Sequence, residues 1–290
     1  MLNFELNILK YIESIRTDFL TAFFEGVTML GEETILIVLM AAIYFMYDKR
    51  LAQRMFFITA TSLAFNGIVK NLVKRPRPFA NGKITCVRPE TATGYAFPSG
   101  HTQTFATGSF AFAVYFKRLW VYVVSVVFTL LIGFSRMYLG AHYPSDVIVG
   151  AVLGFLFAFT LNLCYDKAKN VHFLHGGAAV VLLPFFVAFL INPDPLYADF
   201  FKIYGLLAGL FAAALFEEKL VNFGYDTSLF KKLLRVVIGV VLALVFKEGL
   251  KAVLVFESLR LSLVGDAFRY MVIVFAIMAI CPLVFKKLKI

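Results

Sequence analysis

Two histidines and one aspartate stand out from an apolar chain by the residues around them. His142 and Asp146 lie one helical turn apart in the stretch Ser135-Arg136-Met137-Tyr138-Leu139-Gly140-Ala141-His142-Tyr143-Pro144-Ser145-Asp146. His101 closes Pro98-Ser99-Gly100-His101, and Lys70 and Arg77 stand further upstream in Lys70-Asn71-Leu72-Val73-Lys74-Arg75-Pro76-Arg77-Pro78. Three cations, two imidazoles and a carboxylate are the parts for moving a phosphoryl group without a metal. The transition state spreads negative charge over three oxygens, which positioned cations and amides stabilise. A neutral imidazole can attack phosphorus if a carboxylate fixes its tautomer through the other ring nitrogen.

Each cluster also has a blander reading. Lysines and arginines at a membrane edge commonly snorkel to headgroups, and Lys74 and Arg75 are read that way. Ser99 suits a helix N-cap, and Gly100 lets an anion approach the free amides of a helix start. The alternative is a plain cap followed by a hydrogen-bonded interfacial histidine. Pro144 fits the first position of a helix, which places His142 just before it and Asp146 in its first turn. Arg136, at the end of the preceding apolar run, can fork onto phosphate oxygens. The alternative there is a structural Arg136–Asp146 ion pair with His142 a bystander.

The elements that must position these groups are membrane helices. Of the 290 residues 61% are hydrophobic, and the mean hydropathy is +0.83. A soluble domain is closer to half apolar. Spans are expected near 32–48, 51–73, 102–117, 119–139, 145–165, 172–192, 199–216, 232–254 and 268–286, several of them shorter than the average stretch that crosses a bilayer. Polar groups between such spans are retained for a use. The N-terminal stretch carries Glu5, Lys10, Glu13, Arg16 and Asp18 and so lacks the apolar core of a signal peptide. Its Phe4, Leu6, Ile8, Leu9, Ile12 and Ile15 read as an amphipathic helix at the interface, with a packed hairpin as the competitor.

Charge sets the topology. Asp48-Lys49-Arg50 with Arg54, Lys117-Arg118, Lys167 with Lys169, Lys231-Lys232 with Arg235, and Lys286-Lys287 with Lys289 fall at alternate connections, which are therefore expected to be cytoplasmic. Both histidine clusters then face outward. The net charge of +10 belongs to this bias and to anionic lipid, not to nucleic acid. Cys86, Cys164 and Cys281 have no metal spacing. His172 and His175 are two ligands at most, too few for a metal site, and are read as interfacial residues without acidic partners. The loop 74–101 is rich in Pro and Gly, and its part 79–97 is a candidate lid.

Taken together, Lys70-x6-Arg77-Pro78, Pro98-Ser99-Gly100-His101 and Ser135-Arg136-x5-His142-x3-Asp146 resemble the three motifs of the type 2 phosphatidic acid phosphatase superfamily, complete and in order. The resemblance covers about residues 1–166. It implies an all-α, polytopic transmembrane helix bundle: an N-terminal segment 1–31, a phosphatase core 32–166 and a C-terminal helical extension 167–290. It implies that His142 is the nucleophile that becomes phosphohistidine, that Asp146 orients it, and that His101 protonates the leaving oxygen. Lys70, Arg77, Ser99, Gly100 and Arg136 would hold the phosphate oxygens. It implies no metal and no cofactor, and a membrane lipid phosphate or pyrophosphate as the partner in the bilayer. Undecaprenyl pyrophosphate is the first expectation by family analogy, with phosphatidate and phosphatidylglycerol phosphate beside it. The location implied is a bacterial plasma membrane with the site facing outward. A lipid phosphotransferase would carry the same motifs, and a lipid-binding or transport protein on a decayed phosphatase fold would belong to another class.

Overall fold

The computed structural model describes residues 2–288 and 290; Met1 and Lys289, at the ends of two of the stretches read above, lie outside the described residues. Its helices are α1 (Leu2–Ser14), α2 (Asp18–Met29), α3 (Glu33–Ala42), α4 (Lys49–Val73), α5 (Gly100–Phe116), α6 (Leu119–Tyr138), α7 (Pro144–Lys167), α8 (Val171–Ile191), α9 (Ala198–Phe216), α10 (Leu229–Val253), α11 (Leu259–Phe275) and α12 (Cys281–Leu288). No strand occurs among the described residues. The all-α architecture expected from the sequence is the one observed.

Six helical stretches are long and apolar enough to cross a membrane among the described residues: Lys49–Ala80, Leu119–Tyr138, Pro144–Lys167, Val171–Ile191, Pro195–Val221 and Leu259–Leu288. The other three expected spans depart from that standard for local reasons. The α3 stretch is short and ends in a π-turn, Ile43–Tyr47. α5 stops after 17 residues, where Lys117 takes a left-handed backbone. In α10 only residues 236–246 are free of charge, because Lys231, Lys232 and Arg235 precede them and Lys247, Glu248 and Lys251 follow.

The chain forms two compact units. One holds Met1–Leu36 and Phe65–Leu163; the other holds Ile37–Ala64 and Cys164–Ile290. In the first, α1 buries Leu6, Leu9 and Ile12, spaced to share one face, while Phe4 and Tyr11 stay exposed. α2 begins where Thr17, in extended backbone, accepts from the Leu20 amide at 3.3 Å. Phe24 packs against Tyr138 and Phe134 of α6, with Ile12 and Leu139 in the same core. The N-terminal segment is thus two helices packed on α6, separated by a short turn.

α5 and α7 approach closely because α7 carries Gly150 and Gly154 four residues apart. A Cβ at Gly154 would stand 2.6 Å from the Ala106 Cβ and 2.8 Å from the Gln103 carbonyl; one at Gly150 would stand 2.8 Å from the Ser99 carbonyl. Small residues at this spacing let helix backbones meet. The second unit uses the same device, with Gly205 and Gly209 of α9 against Ala267 and Met271 of α11.

Candidate active site

Alternation of direction brings the three clusters to one end of the first unit. α4 ends near Lys70, α5 begins at Gly100, α6 ends near Arg136 and α7 begins at Pro144. Consecutive antiparallel helices put the end of each beside the start of the next.

The turn from α6 to α7 carries His142. Gly140 has φ +76°, and a Cβ there would stand 2.4 Å from the Thr85 carbonyl, so the tight turn calls for glycine. α7 starts at Pro144, and Asp146 sits in its first turn. Its Oδ2 accepts from the Tyr143 amide at 2.8 Å, which satisfies the backbone donor just before the helix.

His142 is buried, with both ring nitrogens engaged. Nδ1 lies 2.8 Å from the Ala96 carbonyl oxygen, and Arg77 Nη1 donates to Nε2 at 3.1 Å. A guanidinium can only donate, so the network assigns the proton to Nδ1 and the lone pair to Nε2. Burial, with the nearby Arg77 and Arg136 charges, holds His142 well below the usual histidine range. It is therefore a neutral imidazole near pH 7. Asp146 Oδ2 lies 3.5 Å from Nδ1. The hydrogen bond that fixes the tautomer thus goes to Ala96, and Asp146 stands behind it as a charge.

The other residues read from the motifs gather around this imidazole. Arg77 follows the end of α4 on a bend, as Pro76 and Pro78 require. It donates from Nε to the Gly94 carbonyl at 2.9 Å, from Nη1 to the Ala141 carbonyl at 3.1 Å, and from Nη2 to the Thr93 carbonyl. Arg136 is fully buried. Its Nη1 donates to Thr28 Oγ1 at 3.0 Å and Thr91 Oγ1 at 3.3 Å, while its Nε is buried without a hydrogen-bond partner. His101 Nε2 is likewise buried without a partner among the described residues. Lys70 Nζ lies 3.6 Å from where a Gly100 Cβ would be. The positive charges of Lys70, Arg77 and Arg136 act on both His101 and His142.

Several sequence readings change. Arg75 does not snorkel: it donates to Asp146 Oδ1 at 2.7 Å, Ser145 Oγ at 2.6 Å and Glu5 Oε2 at 2.6 Å, with its guanidinium 4.0 Å from the Tyr143 ring centroid. Its partners are a pair of buried carboxylates, not headgroups. The Arg136–Asp146 ion pair does not form, because Asp146 is taken by Arg75. Ser99 occupies the N-cap position of α5, but its side chain does not cap the helix; Ser99 Oγ pairs with Thr102 Oγ1 at 3.0 Å. The Ser99 amide donates to the Asp146 carbonyl at 2.9 Å, tying the second and third clusters together.

The loop 79–97 is anchored. The Thr85 amide donates to Glu13 Oε1 at 2.9 Å, Arg16 Nη1 to the Thr85 carbonyl at 2.9 Å, and Arg88 Nη1 to Glu32 Oε1 at 2.8 Å. With Thr91, Thr93, Gly94 and Ala96 holding Arg136, Arg77 and His142, it forms a wall of the site. In the second unit, His172 does have an acidic partner: its Nε2 meets Glu218 Oε2. His175 is buried and pairs with the Tyr165 hydroxyl. Among the described residues no group of three or more His, Cys, Asp or Glu side chains could hold a metal ion.

Glu5, Arg75, Thr28 and Thr91 are the parts that sequence reasoning missed. Glu5 had one legible signal, a carboxylate on the apolar face formed with Leu6 and Leu9; the threonines had none.

Comparison with known proteins agrees with the motifs. Residues 51–170 match the PAP2 superfamily, and residues 201–290 match the PAP2 superfamily phosphatase, transmembrane extension. Phosphatidylglycerophosphatase B of Bacillus subtilis is 29% identical over 170 residues, 54% of this chain and 80% of that protein. Lipid A 1-phosphatase of Rhizobium etli is 34% identical over 115 residues, 37% of this chain and 49% of that protein. The chain thus spans about half the length of the second relative. The crystal structure of a transmembrane PAP2 type phosphatidylglycerolphosphate phosphatase from Bacillus subtilis is 28% identical, with a TM-score of 0.49 over 58% of this chain and 88% of that one.

Proposed function

We propose, for a chain that belongs to the PAP2 superfamily and carries its phosphatase transmembrane extension, that it removes phosphate from a lipid phosphate or pyrophosphate through a phosphohistidine on His142, at the outer face of a bacterial plasma membrane. The observation that carries this reading is the state of the buried groups. His142 presents a neutral Nε2 lone pair under Arg77, while His101 Nε2 and Arg136 Nε are buried without protein partners. A buried polar atom without a partner costs about 1–3 kcal/mol. A phosphate oxygen or leaving oxygen relieves that cost at both atoms.

The chemistry runs in two balanced steps. His142 Nε2 attacks phosphorus as the P–O bond to the lipid breaks, and His101, which takes up a proton as the phosphate anion binds beside it, gives that proton to the leaving oxygen. Water then attacks the phosphorus of phosphohistidine, His101 takes a proton from that water, the P–N bond breaks and inorganic phosphate leaves. Arg77 Nη1 exchanges its contact with the Nε2 lone pair for one with a phosphate oxygen as substrate enters, while Nε and Nη2 stay on the Gly94 and Thr93 carbonyls. Lys70, Arg136 and the amides at the start of α5 hold the remaining oxygens. Asp146 stabilises the imidazolium character that develops on His142.

A lipid substrate follows from the site's place at the shared ends of membrane helices. The phosphate group meets the cations while its tails remain in the bilayer. The relatives named above act on phosphate groups carried by lipid anchors, which supports the class and not one member of it. The outward orientation is supported by the basic Lys117-Arg118 and Lys167 at the opposite end of α5, α6 and α7.

The test is phosphate release by purified protein in detergent with EDTA. Undecaprenyl pyrophosphate, phosphatidate and phosphatidylglycerol phosphate are offered side by side. Release is expected from at least one, absent in His142→Ala, with acid-labile phosphate trapped on the wild-type protein. A folded wild-type protein that releases none from any lipid would overturn the reading.

A further inference from the structure

Glu5 and Arg75 belong to none of the three motifs, yet both are built onto Asp146. Arg75 bridges two carboxylates, with Nη1 on Asp146 Oδ1 at 2.7 Å and Nη2 on Glu5 Oε2 at 2.6 Å. Glu5 Oε1 accepts from the Ser145 amide at 2.8 Å, one of the open donors in the first turn of α7. Glu5 is 5% exposed, and hydrogen bonds from Ser145 and Arg75 prevail over its burial to hold its carboxyl below the usual glutamate range. The row Glu5–Arg75–Asp146–His142 is therefore alternately negative, positive, negative and titratable.

We propose that Glu5 and Arg75 are positioning residues that set the charge Asp146 presents to His142, making helix α1 a working part of the phosphoryl-transfer site. The inference rests on the reading of His142 as nucleophile given above. Alone, Arg75 would neutralise Asp146 and leave no net charge behind Nδ1. With both carboxylates ionised, Glu5 offsets Arg75 and the three side chains together carry a net charge of −1, by the arithmetic of two carboxylates and one guanidinium. That charge stabilises the imidazolium that forms as His142 attacks. A purely structural role for the pair, as a cap of α7 and a clamp on α1, predicts something different. Replacing either residue would then lower stability without shifting His142 in a sign-dependent way.

Charge arithmetic supplies the test. Glu5→Gln retains an acceptor for the Ser145 amide but brings the group to zero. Arg75→Gln brings it to −2, and the double variant restores −1. The titration midpoint of His142 is read by NMR on full-length protein labelled at histidine, in detergent, with His142→Ala to assign the signal. Glu5→Gln is expected to lower the midpoint and Arg75→Gln to raise it, each by about one pH unit. The double variant returns it to the wild-type value. In turnover of short-chain phosphatidate, Glu5→Gln is expected to lose about tenfold in kcat with KM unchanged, and the double variant to recover it.

Midpoints that stay put, or that move the same way in both single variants, overturn the inference. So does a double variant whose midpoint stays displaced. If Arg75→Gln does not fold, Glu5→Gln and the double variant still decide by the same comparison. The titration does not need turnover. A wild-type protein inert on every lipid phosphate, with midpoints that shift as expected, would remove the phosphatase reading and leave the charge coupling standing.

Discussion

His142, the nucleophile on the proposed reading, has both ring nitrogens held. Arg77 donates to Nε2, and Ala96 accepts from Nδ1, so the tautomer is set before any substrate arrives. Three of Arg77's bonds go to backbone carbonyls, which gives its fork one geometry. Lysine cannot reproduce that fork. Arg77→Lys is expected to lower kcat/KM roughly hundredfold, the scale of losing one transition-state donor, measured by phosphate release. The direction of the His142 shift fixes the sign of a pH effect. Burial and the neighbouring arginines keep it neutral until the pH falls well below 6.5. The acid limb of kcat/KM that belongs to this nucleophile is thus expected below pH 6.5. A limb at or above 6.5 that persists in His101→Gln, through whatever activity that variant retains, would contradict it.

The helices place these groups by where they start and stop. Pro144 opens α7 and Asp146 satisfies its leading amide, so one short stretch is both a helix start and the carboxylate of the site. The same helix sets the depth of His101 through its contact with α5 at Gly150 and Gly154. Gly154→Val would press on Ala106 and the Gln103 carbonyl and push α5 away. It is expected to cost ~1–3 kcal/mol of stability and to lower turnover at the same time. Thermal unfolding in detergent checks this against Gly177→Ala, where an added Cβ meets open space. Unchanged melting and turnover in Gly154→Val would show that the α5–α7 contact does not position His101.

At the scale of the molecule, the basic connections and the site occupy opposite ends of α5, α6 and α7. Single cysteines at the exposed positions Lys83 and Lys117, in a background without Cys86, Cys164 and Cys281, read the orientation in cells. An impermeant maleimide is expected to label the first from outside and the second only after permeabilisation. The reverse pattern would place the site on the cytoplasmic face. On the proposed reading the motifs hold the phosphate with cations, where other phosphatases use magnesium. Turnover is therefore expected to be the same in EDTA and in excess magnesium, and loss on chelation restored by magnesium would refute it.

The helical class, most helix positions within a few residues and the three motif clusters were legible in the chain itself. Apolar runs of bilayer length admit few other structures, because lipid leaves backbone polar groups no partner outside the helix. Pro144, Pro76, Pro78 and Gly140 punctuate locally, so the α7 start, the bend at Arg77 and the turn before His142 could be read from nearest neighbours. What the tertiary structure alone decided is who partners whom. Asp146 had Arg136 and His142 as candidates in its own motif, and its ion pair went to Arg75 while the His142 tautomer went to the Ala96 carbonyl. Glu5 arrived from 141 residues away to complete the row, as its distance in sequence from Asp146 shows. No local pattern encodes such pairings: a buried charge pairs with whichever opposite charge the packed helices bring within reach, and that reach is a property of the assembled bundle.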